Sequence, residues 1–224
     1  YWIAEPPECI LANARQIALA EARIGGPGIS VVADSEEEGA TRVSVFAPDR
    51  PGLFYRICAG LAAAGSSIVN ARIHTTRDGM VLDNLLVQDA QHRAYTDKRL
   101  RDRLVRSVER ALLDSVPPIP AFRGEVTAFA IAPSVTIAER ASRRTTVVEV
   151  NATDRPGLLA SLAGAIHRQG LVVHSAHIAT YGERAVDVFY LTQADGRKLE
   201  PAQFLQLREA LLAAVRGAPQ ADAA

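Results

Sequence analysis

The chain has 224 residues, a length that suits two compact units better than one small domain or two large ones. Acidic and basic residues balance at 25 each, so there is no net charge to attract nucleic acid or an anionic membrane surface, and neither partner is expected. Hydrophobic residues make up 48% of the chain, which is enough for two packed cores.

Cysteine usage and the apolar runs indicate a cytoplasmic protein. Cys9 and Cys58 have no paired or metal-binding spacing, so neither a disulfide framework nor a zinc site is expected. The apolar runs are shorter than the ~20 residues that span a bilayer, and no signal segment opens the chain. Because the chain starts at Tyr1 rather than Met and enters a helical pattern at once, we expect it to be a piece of a longer polypeptide.

Hydrophobic spacing predicts the secondary structure. Val43 and Val45 alternate with polar residues, as in a strand that is buried on one face. Pro51 suits the first position of a helix, and Gly65 suits its end. In chain order the predicted elements are a helix over 7–24, strands over 29–32 and 41–47, a helix from Pro51 to Gly65, strands over 67–76 and 80–88, and a helix over 100–112.

These elements occur twice. Asp83 aligns with Asp187 at an offset of 187 − 83 = 104, and residues before the hairpin align at an offset of 154 − 49 = 105. The second copy therefore predicts strands at 134–137 and 146–152 and a last helix over 204–215. The most similar segments are Asp49-Arg50-Pro51-Gly52-Leu53 and Asp154-Arg155-Pro156-Gly157-Leu158.

Each copy has the order ββαββα. A hairpin of the first two strands would place the closing strand of a ferredoxin-like sheet antiparallel beside its first strand. We therefore predict an α+β protein of two ferredoxin-like units, each with a four-stranded antiparallel sheet and two helices on one face. The predicted division is a lead-in helix and linker at 1–28, units at 29–114 and 134–224, and a linker at 115–133.

The repeated loop is the candidate binding site. It joins a strand to a helix N-terminus, where unpaired N–H groups and the helix dipole attract an anion such as a carboxylate. Gly52 and Gly157 allow close approach to the backbone, and Asp49 and Asp154 could accept hydrogen bonds from a ligand ammonium. The alternative is purely structural, with Asp near a cap, Pro at the helix start and Gly in the turn. Two copies at a fixed offset favour a ligand site for an amino-acid zwitterion.

Three segments carry a resemblance to a known family. Residues 45–53, 71–79 and 175–187 resemble the tandem ACT domains at the end of the bifunctional uridylyltransferase/uridylyl-removing enzyme that modifies the nitrogen-signalling protein PII. The resemblance implies ACT units that bind L-glutamine and switch the enzyme between adding UMP to PII and removing it. It also implies that the catalytic domains and their magnesium lie upstream, so no catalytic residue, metal or cofactor is expected in this chain.

The same resemblance implies which residues bind the ligand. They belong to the two loops and to the strand that faces each loop. The strands differ in sequence between the copies, so one unit could bind ligand while the other only dimerises. The expected set is Asp49, Arg50, Pro51, Gly52, Leu53, Asn70, Ala71, Asp154, Arg155, Pro156, Gly157, Leu158, Ser175 and Ala176.

Two other interpretations stay open. Edge strands of ferredoxin-like units can pair within or between chains, so the two units could be a ligand-free dimerisation module. The chain could also be the ACT tail of a different enzyme, such as a (p)ppGpp synthetase. A metal site at His174 and His177 is disfavoured, because residues three apart on a strand point to opposite faces.

Overall fold

The computed structural model describes residues 7–22, 28–37, 39–76, 78–119 and 131–217. After the first helix, the order ββαββα occurs twice within these residues, which confirms the predicted α+β fold of two ferredoxin-like units. The first unit comprises β1 to α3 and the second β5 to α5. The elements are α1 (Pro7–Glu21), β1 (Ser30–Glu37), β2 (Ala40–Pro48), α2 (Leu53–Ala63), β3 (Ser67–Arg72), β4 (Met80–Gln88), α3 (Lys98–Leu113), β5 (Ser134–Ala138), β6 (Thr146–Thr153), α4 (Leu158–Arg168), β7 (Leu171–Tyr181), β8 (Arg184–Gln193) and α5 (Pro201–Val215).

The four-stranded sheets of the two units are continuous. The strand order is β1-β2-β4-β3-β7-β8-β6-β5, and neighbouring strands are antiparallel. At the centre β3 pairs with β7, so that Ala71 lies opposite Ile178 and Asn70 lies opposite Ala179. This pairing satisfies the N–H and C=O groups that an isolated unit would leave free at its edge. The expected ACT–ACT pairing is therefore present within the chain.

The predicted hairpin at the start of the first unit is confirmed. Val31 lies opposite Val45, and Val32 lies opposite Ser44. β3 is shorter than predicted, because it ends at Arg72 rather than continuing to residue 76. Beyond β3 the chain keeps the same register with β4, since Thr75 bridges Val81 and the Leu82 N–H donates to the His74 carbonyl at 2.9 Å.

The helices α2 to α5 cover one face of the sheet and share one core. α2 packs against α3, α4 packs against α5, and α2 also packs against α4 across the boundary between the units. Ile57 and Leu61 of α2 belong to the same buried cluster as Leu162 and Ile166 of α4. The composition predicted two separate cores, but the α2–α4 contact merges them because both helices bury their apolar sides at the boundary.

α1 packs on the opposite face of the first unit. Gln16 donates from Nε2 to the carbonyl oxygens of Ser30 and Ser44, at 2.9 and 3.1 Å, which ties the helix to β1 and β2. β2 is consequently buried on both faces, although its alternation predicted burial on one face only. The apolar contacts join Ile17 and Ala20 of α1 to Phe46, Met80 and Leu82 of the sheet.

The equivalent face of the second unit is polar. Asn151 and Arg184 occupy the positions that Phe46 and Met80 occupy in the first unit. Arg184 Nη2 donates to Asn151 Oδ1 at 2.7 Å, and Asn151 Nδ2 donates to Glu149 Oε1 at 2.7 Å. Because Glu149 and Arg184 are charged and exposed, this surface offers α1 no apolar patch comparable to that of the first unit.

Parts of the predicted linkers, residues 23–27 and 120–130, lie outside the described residues, so the domain boundaries stay predictions. At the far end of the second linker, the Ile131 N–H donates to Thr153 Oγ1 at 3.0 Å. In the part of the chain that the structure describes, none of the helices is long and apolar enough to cross a membrane.

Candidate ligand-binding site

Each repeated loop contains a type II turn. The Leu53 N–H donates to the Arg50 carbonyl at 3.1 Å, and Gly52 has φ 77° and ψ 7°. The Leu158 N–H donates to the Arg155 carbonyl at the same distance. The proline occupies the second position of the turn, and the glycine occupies the third, which requires a positive φ. The prediction that Pro51 begins a helix is therefore wrong, because Pro51 belongs to the turn and α2 begins at Leu53, as α4 begins at Leu158 in the second copy.

The arginines anchor these loops to the protein. Arg155 donates from Nη2 to the Ala214 carbonyl at 2.6 Å and from Nε to the Val215 carbonyl at 3.2 Å. Arg50 donates in the same way to the Leu112 carbonyl at the end of α3. Each guanidinium thus satisfies carbonyl groups at a helix C-terminus, where positive charge is favoured. Arg50 and Arg155 therefore hold the loops in place.

Each loop forms one wall of a pocket whose other wall belongs to the other unit. Above the second loop lies the Asp154 pocket, and above the first lies the Asp49 pocket. The Asp154 pocket is lined by residues 154, 155, 157–160, 178, 180, 185 and 187 of the second unit and by Cys58, Ala62, Ser66, Ser67 and Ile68 of the first. The Asp49 pocket is lined by residues 49–55, 73, 81 and 83 of the first unit and by Ala163, Ile166, His167, Leu171, Val172 and Val173 of the second.

Both pockets are narrow. The Asp154 pocket has about 370 Å³ of space between its atoms, part of it open to solvent, but the centre of a water molecule fits in only about 20 Å³. The corresponding space in the Asp49 pocket is about 30 Å³. Such volumes hold one or two water molecules. An amino acid could therefore enter only if the two walls, one from each unit, moved apart.

A buried carboxyl group lies in each pocket. Asp83 on β4 is 1% exposed and Asp187 on β8 is 2% exposed, and these residues are equivalent in the repeat. Burial, together with the nearby Asp49 carboxylate for Asp83 and the Asp154 carboxylate for Asp187, raises the pKa of both to about 8. Burial also raises the pKa of Asp154, although its Oδ1 accepts from the Arg155 N–H at 2.9 Å. Each pocket thus contains two acidic groups close to a helix N-terminus.

Sequence reasoning missed Asp83 and Asp187 as site residues, although their alignment marked the repeat. Each lies on the core-facing side of a strand, among apolar residues such as Leu85 and Phe189. An aspartate at a core-facing position of a strand is rare unless it has a partner or a function. That departure from the alternating pattern was the signal that could have identified them.

The predicted strand residues lie outside the two pockets. Ala71 and Ala176 are buried in the common core, at 1% and 0% exposure. Asn70 lies in an open groove of about 410 Å³ that also contains Asp154 and His92. Ser175 lines a groove of about 370 Å³ beside α1. The fold therefore brings the loop residues into the pockets and places the strand residues in the core or on the opposite face of the sheet.

Comparison with known proteins gives the family. Residues 41–104 match the ACT domain family. The chain is 43% identical over 232 residues to a bifunctional uridylyltransferase/uridylyl-removing enzyme of Novosphingobium aromaticivorans, covering 100% of this chain and 25% of that enzyme. Enzymes of the same name from Erythrobacter litoralis and Zymomonas mobilis are 42% and 41% identical, over 99% and 97% of this chain and 25% and 24% of theirs. The chain is homologous to the C-terminal ACT region of these enzymes.

This chain spans about a quarter of the length of the relatives it matches. Among solved structures, aspartate kinase from Synechocystis is 19% identical, with a TM-score of 0.48, and the match covers 96% of this chain and 33% of that one.

The two ACT units differ at their pockets. His167 lines the Asp49 pocket, stacks on Tyr55 with ring centroids 5.7 Å apart, and lies against Gly52. Burial, with the nearby arginines 56 and 168, lowers the pKa of His167, so the ring is neutral at pH 7. In the Asp154 pocket the equivalent positions hold Ala62 and Ala160. The Asp49 pocket thus has an aromatic pair in its lining where the Asp154 pocket has two alanines.

The histidines of β7 lie apart from both pockets. His174 shares a hydrogen bond with Thr192 Oγ1 at 2.8 Å, and His177 packs edge-on against the Tyr190 ring at 5.9 Å. Among the described residues, no group of three His, Cys, Asp or Glu side chains is placed to hold a metal ion.

Proposed function

We propose that this chain is the regulatory region of an enzyme that adds UMP to PII and removes it, and that the chain senses L-glutamine. The observation that supports this most strongly is the Asp154 pocket, where a helix N-terminus and two carboxyl groups meet between the ACT units. The names of the relatives supply the reaction class. We assign catalysis, and the magnesium it needs, to parts of the protein outside this chain.

The pocket is complementary to an amino-acid zwitterion. The N-terminus of α4 offers backbone N–H groups and a partial positive charge to the ligand carboxylate. Asp154 and Asp187 offer acceptors to the ligand ammonium. Arg155 is engaged by the C-terminus of α5, so positive charge in the pocket comes from the helix end rather than from a mobile side chain.

The proposed mechanism is a shift between two arrangements of the ACT units. Because the pocket walls belong to different units, a ligand that fits only when the walls separate favours the more open arrangement. The free energy available for regulation equals the difference in ligand affinity between the two arrangements. Movement along the β3–β7 and α2–α4 contacts would transmit this change to catalytic domains elsewhere in the protein.

A second candidate function is assembly without a ligand. The pairing of β3 with β7 shows that the ACT units associate through their strand edges. That contact is already made within the chain, which leaves β1 and β5 at the ends of the sheet as the strands through which two chains could pair.

Substitution of Asp154 separates the two functions. We would measure UMP addition to PII and its removal by the full-length protein, with L-glutamine from zero to millimolar concentration. Glutamine should change the ratio of the two rates in the wild type, and Asp154→Ala should lose this response. The matched control is Asp195→Ala, which removes an exposed aspartate that pairs with Arg197 in the turn before α5 and should keep the response. A normal glutamine response in the Asp154 variant would contradict the proposal, and assembly by the protein without any response would support the second function.

A further inference from the structure

We infer that Asp187 binds the ammonium group of the ligand in the Asp154 pocket and that its carboxyl group releases its proton to solvent when the ligand binds. This inference rests on the proposed function and specifies which residue recognises the amino group. It adds a property that a structural carboxyl group would not have, because ligand binding becomes linked to the release of a proton.

The described residues around Asp187 supply no hydrogen-bond partner for one of its carboxyl oxygens, Oδ1. Asp187 lies on β8 between Val150 of β6 and Ile178 of β7, and both neighbours are apolar. Its Oδ1 is buried and has no hydrogen-bond partner among the described residues. Leaving a carboxyl oxygen unsatisfied in a protein interior costs free energy, so such groups usually have a partner or a function. The pocket that Asp187 lines is the space from which a partner can come.

The charged and titratable groups around Asp187 leave it neutral in the closed pocket. Asp154, from the loop before α4, repels a second negative charge. The Cys58 thiol on α2 is buried, and burial raises its pKa well above the usual range, so it stays protonated. The Arg155 guanidinium donates to the Ala214 carbonyl at the end of α5. His92 lies close enough to Asp154 to lower the pKa of that carboxyl group, against the effect of burial. Burial and Asp154 together raise the pKa of Asp187 to about 8, so the acid keeps its proton at pH 7.

The proton balance follows from these charges. When a ligand ammonium enters, the O–H bond of the Asp187 carboxyl breaks, its proton passes to buffer, and the carboxylate accepts an N–H hydrogen bond from the ammonium. The ion pair replaces a neutral acid whose Oδ1 lacked a partner among the described residues. An opposite charge within hydrogen-bond distance favours the ionised form of a carboxyl group, which is the driving force for release of the proton.

Asp83, the equivalent residue, differs from Asp187 in its surroundings. One of its oxygens accepts from the His74 N–H at 3.3 Å. The Asp49 pocket beside it also contains His167, where the Asp154 pocket has Ala62. We therefore assign ammonium recognition to Asp187 rather than to Asp83.

The test is calorimetry of L-glutamine binding in three buffers of different ionisation enthalpy. The slope of the observed heat against buffer ionisation enthalpy gives the number of protons released. With a pKa of about 8 for Asp187, the wild type should release about one proton per ligand at pH 6.5 and about a quarter of a proton at pH 8.5. The des-amino analogue of glutamine should not bind detectably, because it lacks the ammonium group.

Two variants complete the test. Asp187→Asn is isosteric with the neutral acid and should bind glutamine at least about tenfold more weakly, with no proton release. The control Asp195→Asn, which changes an exposed carboxyl group outside both pockets, should keep both the affinity and the released proton. Glutamine binding with a zero slope in the wild type, or an undiminished slope in Asp187→Asn, would overturn this inference and leave the proposed function standing. The absence of both heat and thermal stabilisation in the wild type at millimolar glutamine would overturn both.

Discussion

The buried carboxyl groups make the stability of the protein depend on pH in a direction that can be calculated. Below about pH 3.8, Asp187 is protonated in both the folded and the unfolded chain. As the pH rises, Asp187 ionises first in the unfolded chain, because burial keeps its pKa in the folded chain near 8. The unfolded state then binds fewer protons than the folded state, so the free energy of unfolding falls until the folded group also ionises at about pH 8.

The size of this effect follows from the two pKa values. Each pH unit between them removes about 1.4 kcal/mol of stability per group. From 3.8 to pH 7 the interval is 7 − 3.8 = 3.2 units, so Asp187 lowers the free energy of unfolding by about 4 kcal/mol at pH 7 relative to a group that stays neutral. Asp83 should contribute a similar amount, because burial raises its pKa to the same value.

Asp187→Asn removes this pH dependence, since an amide does not ionise. We expect the plot of unfolding free energy against pH, from urea denaturation at pH 5, 6, 7 and 8, to be shallower for the variant by about 1.4 kcal/mol per pH unit. The buried amide could cost about 1–3 kcal/mol through unsatisfied hydrogen bonds, but that cost does not vary with pH, so the slope is the quantity to compare. Parallel curves for the wild type and Asp187→Asn would refute the reasoning.

Two further predictions concern packing. Gly60→Ala should lower the free energy of unfolding by about 1–3 kcal/mol through overpacking, despite the better helix propensity of alanine, because its Cβ would lie 2.9 Å from the Val108 Cα on α3. Gly28→Ala is the control, since its Cβ would meet nothing within 4 Å, and equal urea midpoints for the two variants would contradict the argument. Gln16→Ala removes the donor that α1 offers to the Ser30 and Ser44 carbonyls, and it should cost about 1–3 kcal/mol. It should also speed amide hydrogen exchange in α1, and unchanged exchange there would show that apolar contacts alone hold the helix.

The order of the elements could be predicted from the sequence because it is encoded locally. Helical spacing in α2 and α4 and alternation in β2 and β6 are properties of short segments, and the repeat supplied each prediction twice. The bounds of β4 were predicted to the residue. The first helical position was misplaced at Pro51 because a proline at a helix start and a proline in a type II turn look alike until the φ of Gly52 is known.

The sequence by itself determined the ββαββα order of each unit, the hairpin that starts it, and the loop at which the helix N-terminus and an aspartate meet. Only the tertiary structure decided that β3 pairs with β7, that α1 packs on the first unit, and that residues of both units line each pocket. It also decided that Asp83 and Asp187 are buried beside the loops. The physical reason is that periodicity specifies which face of an element is apolar, whereas the partner that covers that face, and the charge buried beneath it, depend on segments distant in the sequence.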